Sequence, residues 1–158
     1  MDAAIRAQIL KLLDEHRIMT LATLRPDGWP QATTVGYVND GLAFYFLCGK
    51  DSQKTRNLAR DNRVSLTIDH DTSDVLAIRG LSMAARAIPV TDQLQAQQMM
   101  RGMLPKKYPE YTDMMATVDL SAVVIFKVVP EVISVLDYGK GFGHCDLVTV
   151  EPNDRAAA

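Results

Sequence analysis

Cysteine is scarce in this sequence. Its two cysteines, Cys48 and Cys145, lie far apart and form no C-x-x-C pair. This spacing excludes a disulfide-stapled scaffold and a C-x-x-C redox or metal motif. Free thiols are typical of a reducing compartment, so we expect a cytoplasmic protein.

Long hydrophobic runs are also missing. The longest apolar stretches, such as 42–48 and 122–126, have the length of a strand, whereas a membrane-spanning helix needs about 20 apolar residues. At the N-terminus, Asp2 and Arg6 interrupt the apolar core that a signal peptide would need. The sequence therefore predicts neither a membrane segment nor a signal peptide.

An excess of positive charge is the third absence. Seventeen basic side chains stand against nineteen acidic ones, and the net charge is −2. A general nucleic-acid binder needs a broad positive face, and this balance argues against one. Any site for an anion must therefore be local.

What the chain does have is the composition of one compact domain. Its 158 residues are 47% hydrophobic and 23% charged, as in ordinary globular proteins. We expect a single domain over residues 1–150, followed by a disordered tail over residues 151–158.

Most of the chain has the pattern of antiparallel strands joined by tight turns. The turn sequences 25–28 and 39–41 separate runs of β-forming residues. The predicted strands are 18–24, 29–38, 42–48, 64–68, 75–90, 121–129 and 131–138, with a bulge or bend at Gly80. The predicted helices are 2–16, 52–62, 92–104 and a shorter piece around 111–116. Six or seven strands with inserted helices predict an antiparallel sheet of α+β character, and this number of strands suits a barrel.

Residues 50–63 concentrate positive charge. This segment has only two acidic residues, Asp51 and Asp61, but five basic ones: Lys50, Lys54, Arg56, Arg60 and Arg63. Ser52 stands where a helix N-cap belongs, so free backbone N–H groups and the positive end of the helix dipole would lie beside Lys54. A phosphate group fits such a helix start, and an ordinary solvated helix face is the alternative.

The order of elements around this segment resembles the pyridoxamine 5′-phosphate oxidase-like family of FMN-binding split β-barrels. The resemblance rests on the aromatic strand Phe44-Tyr45-Phe46, the turn Ser52-x-Lys54, the pair Asn57-Leu58, and Asn62 before the next strand. It extends from about Ile9 to Val135. It implies a mainly β fold with α+β character: a six- to seven-stranded antiparallel split barrel with an N-terminal helix and short connecting helices.

The same resemblance implies a set of cofactor-binding residues. They are Thr33, Thr34, Val35, Cys48, Ser52, Lys54 and Arg56. Ser52 and Lys54 would bind the FMN phosphate, with Arg56 a weaker candidate for that role. Residues 33–35 would line the ribityl chain and the ring edge, where backbone and hydroxyl donors are needed. Cys48 occupies a position that is often threonine in the family, so a hydroxyl contact to the phosphate is missing there or replaced by backbone.

The function implied by the resemblance is that of a flavoprotein. We expect a homodimer that binds FMN non-covalently at the subunit interface and acts as an oxidoreductase on an unidentified small molecule, with a nicotinamide-type electron donor. The flavin carries the chemistry, so no catalytic residue is assigned. The true oxidase is longer and has a C-terminal segment containing Arg and Trp, whereas the one tryptophan here is Trp29. Vitamin B6 oxidation is therefore not expected, and the small general-stress-protein-like relatives are more similar.

Two alternatives stay open at this point. One is a non-enzymatic flavin-binding or stress-response protein, and the other is a split barrel that binds haem or a deazaflavin. Haem would need an axial ligand, for which His70 and His144 are the candidates.

Other segments give weaker signals. The glycine-rich stretch 139–143 is too close to the C-terminus to begin a dinucleotide-binding βαβ unit, and we expect it to lie over the flavin or the partner subunit, with Tyr138 or Phe142 as a ring contact. No set of His, Cys, Asp and Glu residues has the spacing of a metal site, so no metal is expected.

Overall fold

A computed structural model describes residues 1–113 and 117–156. The strands in this part of the chain are β1 (Ile18–Leu24), β2 (Pro30–Gly36), β3 (Val38–Asp40), β4 (Ala43–Gly49), β5 (Arg63–Asp69), β6 (Arg79–Pro89), β7 (Val123–Asp137) and β8 (Cys145–Thr149). The α-helices are α1 (Ala3–Glu15), α2 (Gln53–Arg60), α3 (Gln93–Gln98), α4 (Leu104–Lys107) and α5 (Pro152–Ala156). None of the helices in these residues has the length and apolar character needed to cross a membrane.

The strands form one curled antiparallel sheet. Their order is β2-β1-β5-β6-β7-β4-β3, and β8 pairs with the C-terminal half of β7. Every pairing along this path is antiparallel. The sheet confirms the predicted mainly β split barrel, with seven strands along the path and the short β8 added beside β7.

The core lies on the concave side of the sheet, because alternate residues of the strands are apolar. In β5, Val64, Leu66 and Ile68 are buried and the residues between them are exposed, as the alternation predicts. Helix α1 packs Leu12 and other apolar residues against this core. Asp2 caps the helix, since its carboxylate accepts hydrogen bonds from the N–H groups at the first turn.

A second apolar cluster lies on the opposite face of β3 and β4. It is formed by Val38, Tyr45, Met99, Met100, Leu104 and Ile125. The helix predicted at 92–104 is in fact α3, a π-helical turn at Met99–Met103, and α4. Of the shorter predicted helical piece, residues 114–116 lie outside the described residues.

The strands differ from the predicted ones at several points, one of which is that the predicted strand 29–38 is divided into β2 and β3. The strands predicted at 121–129 and 131–138 are one strand, β7, which passes through Pro130. Proline is tolerated there because the ladder to β6 shifts register next to it, between Ala84 and Ala85. Strand β6 begins at Arg79, not at residue 75, since Val75–Ala77 form a 3-10 turn. Strand β8 was not predicted.

Gly80 has a different role from the predicted bulge. It pairs regularly with Asp69 of β5. A Cβ atom at this position would lie 2.8 Å from the carbonyl oxygen of Ile68. The glycine therefore permits a close approach of the two backbones.

The C-terminal segment differs from the expected disordered tail as far as it is described. Residues Pro152–Ala156 form α5. Asp154 in this helix accepts a hydrogen bond from the N-terminal ammonium of Met1 at 3.1 Å. This contact joins the start of the chain to α5.

A buried side-chain amide joins α2 to the sheet. Asn57 is 0% exposed. Its Nδ2 donates to Thr23 Oγ1 at 3.0 Å and to Gln31 Oε1 at 3.2 Å, and its Oδ1 accepts from Gln53 Nε2 at 2.8 Å. These hydrogen bonds fix α2 against β1 and β2.

We predict that Asn57→Ala lowers the free energy of unfolding by about 2 kcal/mol, because it leaves Thr23 and Gln31 without a buried partner. Urea denaturation measures this change. Arg60→Ala, on the exposed side of the same helix, serves as the control and should change stability by less than about 0.5 kcal/mol. Equal effects of the two substitutions would show that the amide network does not hold α2.

Candidate functional site

The start of α2 is organised by hydroxyl groups. Ser52 is the N-cap, and its Oγ accepts a hydrogen bond from the Thr55 N–H at 3.2 Å. Thr55 Oγ1 donates to the carbonyl of Gly49 at 2.7 Å and lies 3.1 Å from Ser52 Oγ. The sequence correctly predicted the cap, but it did not single out Thr55. The position of Thr55, three residues after the cap, could have indicated this contact, because a side chain there faces back to the loop before the helix.

Cys48, near the end of β4, contacts the hydroxyl groups of Ser52 and Thr55 through the latter. Its Sγ lies 3.2 Å from Thr55 Oγ1, and the side chain packs partly against the core. The hydroxyl that the family often has at position 48 is therefore replaced at close range by that of Thr55. Cys48 itself contributes a thiol to the cluster.

Two backbone N–H groups are free at this helix start. Within residues 1–113 and 117–156, the N–H groups of Gln53 and Lys54 have no acceptor, because only the N–H of Thr55 is satisfied by the cap. Free N–H groups and the positive end of the helix dipole attract anions. The arrangement can bind a phosphate-sized anion.

Three of the five cations in segment 50–63 are engaged elsewhere. Arg63 pairs with Asp61, with 2.6 Å between Nη2 and Oδ2, and hydrogen bonding to Arg63 lowers the pKa of Asp61 to about 2. Arg60 donates to the carbonyl of Arg25 at 2.9 Å. Arg56 donates to the carbonyl of Asp51 at 2.5 Å and to the side chain of Gln53.

The other two cations are the lysines of the segment. In the part of the chain that the structure describes, Lys50 and Lys54 have neither an ion-pair nor a hydrogen-bond partner for their ammonium groups. Lys54 is half-buried in the first turn of α2, whereas Lys50 is exposed. The ammonium groups without a partner among the described residues therefore lie before the helix, at Lys50, and in its first turn, at Lys54.

The side chains of Thr33 and Thr34 point to opposite faces of β2. Thr33 lies opposite Leu21 of β1, on the core-facing side that also carries Val35. Thr33 Oγ1 is buried and has no hydrogen-bond partner among the described residues. Gln31, on the same face, is the residue that contacts Asn57 of α2. The free hydroxyl of Thr33 and the helix α2 thus share one side of the strand.

Thr34 is exposed on the other side of β2. A ligand that lies on one face of β2 therefore cannot contact the side chains of both Thr33 and Thr34. Strand β2 is the last strand on its side of the sheet order, so its outer edge carries backbone N–H and C=O groups that no neighbouring strand pairs. These backbone groups, with either hydroxyl, are the donors and acceptors that β2 offers to a ligand.

An apolar cavity of about 250 Å³ begins where β2 ends. Its lining includes Gly36, Tyr45, Leu47, Met99 and Tyr108, and none of the seven predicted cofactor residues belongs to it. The cavity lies in the second apolar cluster, on the opposite side of β4 from the core. It is separate from the helix start.

The segment between β7 and β8 presents aromatic groups to solvent. Phe142 is 78% exposed, and its ring contacts that of Tyr138 with 5.4 Å between the centroids. His144 Nε2 lies 3.1 Å from the Asp146 carboxylate, which Lys140 also contacts. Hydrogen bonds from Lys140 and then His144 lower the pKa of Asp146. Within the described residues, no three His, Cys, Asp or Glu side chains form a metal cluster.

Comparisons with known proteins agree on one family. The family model described as pyridoxamine 5′-phosphate oxidase matches residues 5–137. No curated protein matches the chain significantly.

Solved structures share the fold. A conserved hypothetical protein from Mycobacterium tuberculosis is 26% identical, with a TM-score of 0.75 over 96% of this chain and 92% of that one. A haem-binding protein from Mycobacterium smegmatis is 26% identical, with a TM-score of 0.71 over 94% of this chain and 58% of that one. An FAD-binding protein from Mesorhizobium loti is 17% identical, with a TM-score of 0.63 over 80% of this chain and 88% of that one, and this likeness shows the fold alone.

Substitution of the cap residue separates its structural role from anion binding. We predict that Ser52→Ala destabilises the protein by about 1 kcal/mol, because the Thr55 N–H loses its acceptor. Ser52→Asp should keep near wild-type stability, since aspartate is an equally good cap, while its charge repels an anion. Chemical denaturation measures both variants, and an equal loss of stability in the two would contradict the cap assignment.

Proposed function

Because this chain belongs to the pyridoxamine 5′-phosphate oxidase family, we propose that it binds FMN with the phosphate at the start of α2. The observation that carries the proposal is the local arrangement of donors. Among the described residues, two N–H groups without an acceptor and the unpaired ammonium of Lys54 meet at this helix start, while Arg60 is bonded to the Arg25 carbonyl. A dianionic phosphate is the ligand group that such a set of donors fits best.

Each residue at the helix start has a distinct role in this proposal. The ammonium of Lys54 neutralises phosphate charge, and Ser52 turns its hydroxyl proton from Thr55 to a phosphate oxygen. Arg56 is a secondary contact, because the Asp51 carbonyl and the Gln53 side chain already hold two of the five N–H donors of its guanidinium. Thr55 positions Ser52 and supplies the hydroxyl that Cys48 lacks.

Strand β2 provides the contacts to the rest of the flavin. In this proposal the ribityl chain supplies the partner that the buried hydroxyl of Thr33 lacks among the described residues, and the outer backbone edge of β2 with Thr34 contacts the polar edge of the ring. Val35 packs partly against the core and supports the strand. These residues orient the ring and need no charge to do so.

The proposed activity is an oxidoreduction of a small molecule with a nicotinamide-type electron donor. Bound FMN supplies hydride and electron transfer, so the chain needs to bind and orient but needs no general acid or base. A flavin-binding protein without turnover is the alternative. Steady oxidation of NADH or NADPH at a rate above that of free FMN would distinguish the enzyme from that alternative. The proposed compartment of this activity is the cytoplasm.

We further propose that the active form is a homodimer with the flavin at the subunit interface. Large apolar side chains are exposed just before β2 and on β8, including Trp29 at 71% and Leu147 at 72%. Such exposure supports an interface with a second copy. Light scattering that finds a monomer with flavin bound would contradict this arrangement.

Haem is the second candidate ligand. The Mycobacterium smegmatis relative is a haem-binding protein, although this chain spans only 58% of it. His144 has the features of an axial ligand, since Asp146 fixes one ring nitrogen at 3.1 Å and the other nitrogen is available. His70, the other histidine considered, contacts His16 and is less available.

We predict that Lys54→Ala weakens FMN binding by about 1.5 to 3 kcal/mol, or roughly 10- to 150-fold, because one charge-assisted hydrogen bond is lost. Quenching of flavin fluorescence measures the Kd. Arg60→Ala is the matched control on the same helix and should change the Kd less than threefold. An unchanged Kd in Lys54→Ala would refute the phosphate assignment.

The choice between flavin and haem is decided by visible absorption after each is added and the protein is desalted. We expect retained flavin bands and no stable haem complex in the wild-type protein. A retained Soret band that His144→Ala abolishes, with no flavin retained, would replace the FMN proposal by the haem one.

A further inference from the structure

Two histidines from distant parts of the chain meet outside the candidate site. His16 follows α1 as its C-cap, and His70 follows β5 directly. His16 Nε2 lies 3.1 Å from His70 Nδ1, and the two ring centroids are 5.2 Å apart. Neither residue belongs to the proposed flavin site.

The other nitrogen of His16 has a fixed role. Its Nδ1 lies 2.9 Å from the Leu12 carbonyl, which can only accept, so Nδ1 carries a proton and donates it. In the neutral ring, Nε2 then has a free lone pair that faces His70. A metal-binding histidine typically has this arrangement, with one nitrogen tied to a carbonyl and the other free to coordinate.

The spacing of the two rings fits a metal ion shared between them. With metal–nitrogen bonds of about 2.05 Å, a tetrahedral ion holds two imidazole nitrogens about 3.3 Å apart and their ring centroids about 5.2 Å apart. An octahedral ion holds the nitrogens about 2.9 Å apart. The observed distance of 3.1 Å lies between these values, and the observed centroid separation equals the tetrahedral one.

Several charges beside the pair favour a cation, and one opposes it: the Lys107 ammonium, which donates to the Leu13 carbonyl at 2.6 Å in the last turn of α1. The C-terminal end of α1, which carries the negative end of the helix dipole, lies at His16. His70 stands between Asp69 and Asp71 in the sequence. The nearest arginine in the sequence, Arg17, is paired with Glu110 and does not oppose a bound cation.

We propose that His16 and His70 form a binding site for a divalent transition metal such as Zn²⁺ or Ni²⁺. The ion takes the lone pair of His16 Nε2 and that of His70 Nδ1, whose proton moves through solvent to His70 Nε2, so both rings stay neutral. The described residues offer no third His, Cys, Asp or Glu ligand, so water fills the other positions. The bound ion clamps the end of α1 to the end of β5.

The test is a titration of the tag-free, full-length protein with ZnCl₂ in a non-chelating buffer, followed by calorimetry. We expect one saturable site per chain, with a Kd that rises at least tenfold in His70→Gln. This variant leaves the α1 cap intact, because His70 is an exposed residue after a strand. His144→Gln is the matched control and should bind as the wild type does.

A second readout identifies the ligand atoms. In ¹⁵N spectra of the imidazoles, Zn²⁺ should shift the resonances of His16 Nε2 and His70 Nδ1 and leave those of His144 unchanged. The absence of saturable binding below about 1 mM, unchanged binding in His70→Gln, or an equal loss in His144→Gln would each overturn the site.

Discussion

The buried amide of Asn57 fixes the position of the candidate site. Two of its hydrogen bonds join α2 to β1 and β2, and a third, from Gln53, lies within α2; the amide is fully buried. A buried amide that loses its partners costs about 1 to 3 kcal/mol, so any rotation or shift of α2 is opposed. The first turn of the helix, with Ser52 and Lys54, is therefore held in a constant relation to the face of β2 that carries Thr33.

Local charge pairing gives this helix start its chemical character. The segment has five cations, but Asp61 neutralises Arg63, and backbone carbonyls engage Arg56 and Arg60. The ammonium of Lys54 is left beside two free N–H groups. In a chain with a net charge of −2, the positive charge of segment 50–63 is a local feature, and it meets the free N–H groups at the helix start.

Much of the fold follows from local patterns in the sequence. The alternation in β5 and the turns at 25–28 and 39–41 predicted strands and hairpins, since one buried face of a sheet imposes a period of two. Tertiary context explains the differences. Pro130 looked like a break because a proline cannot donate to a ladder, but the ladder between β6 and β7 is irregular next to it, where Glu131 of β7 has no partner in β6. Strand β8 forms by pairing with β7, which its own short sequence does not reveal.

Local sequence patterns predicted only part of the candidate site. Ser52 was recognisable as a cap from its residue type and from the residues that follow it. The contact of Thr55 with Cys48 and the burial of Asn57 depend on how α2 docks on the sheet. The opposite orientations of Thr33 and Thr34 follow from strand alternation, but which of the two faces the core depends on the register with β1.

The central claim is that the helix start binds the phosphate of a flavin. A comparison of FMN with riboflavin, which has the same ring and ribityl chain but no phosphate, tests it most directly by fluorescence titration of the purified protein. The account predicts that FMN binds at least tenfold more tightly than riboflavin. Equal affinity for the two flavins would contradict it, because the start of α2 would then contribute nothing to recognition.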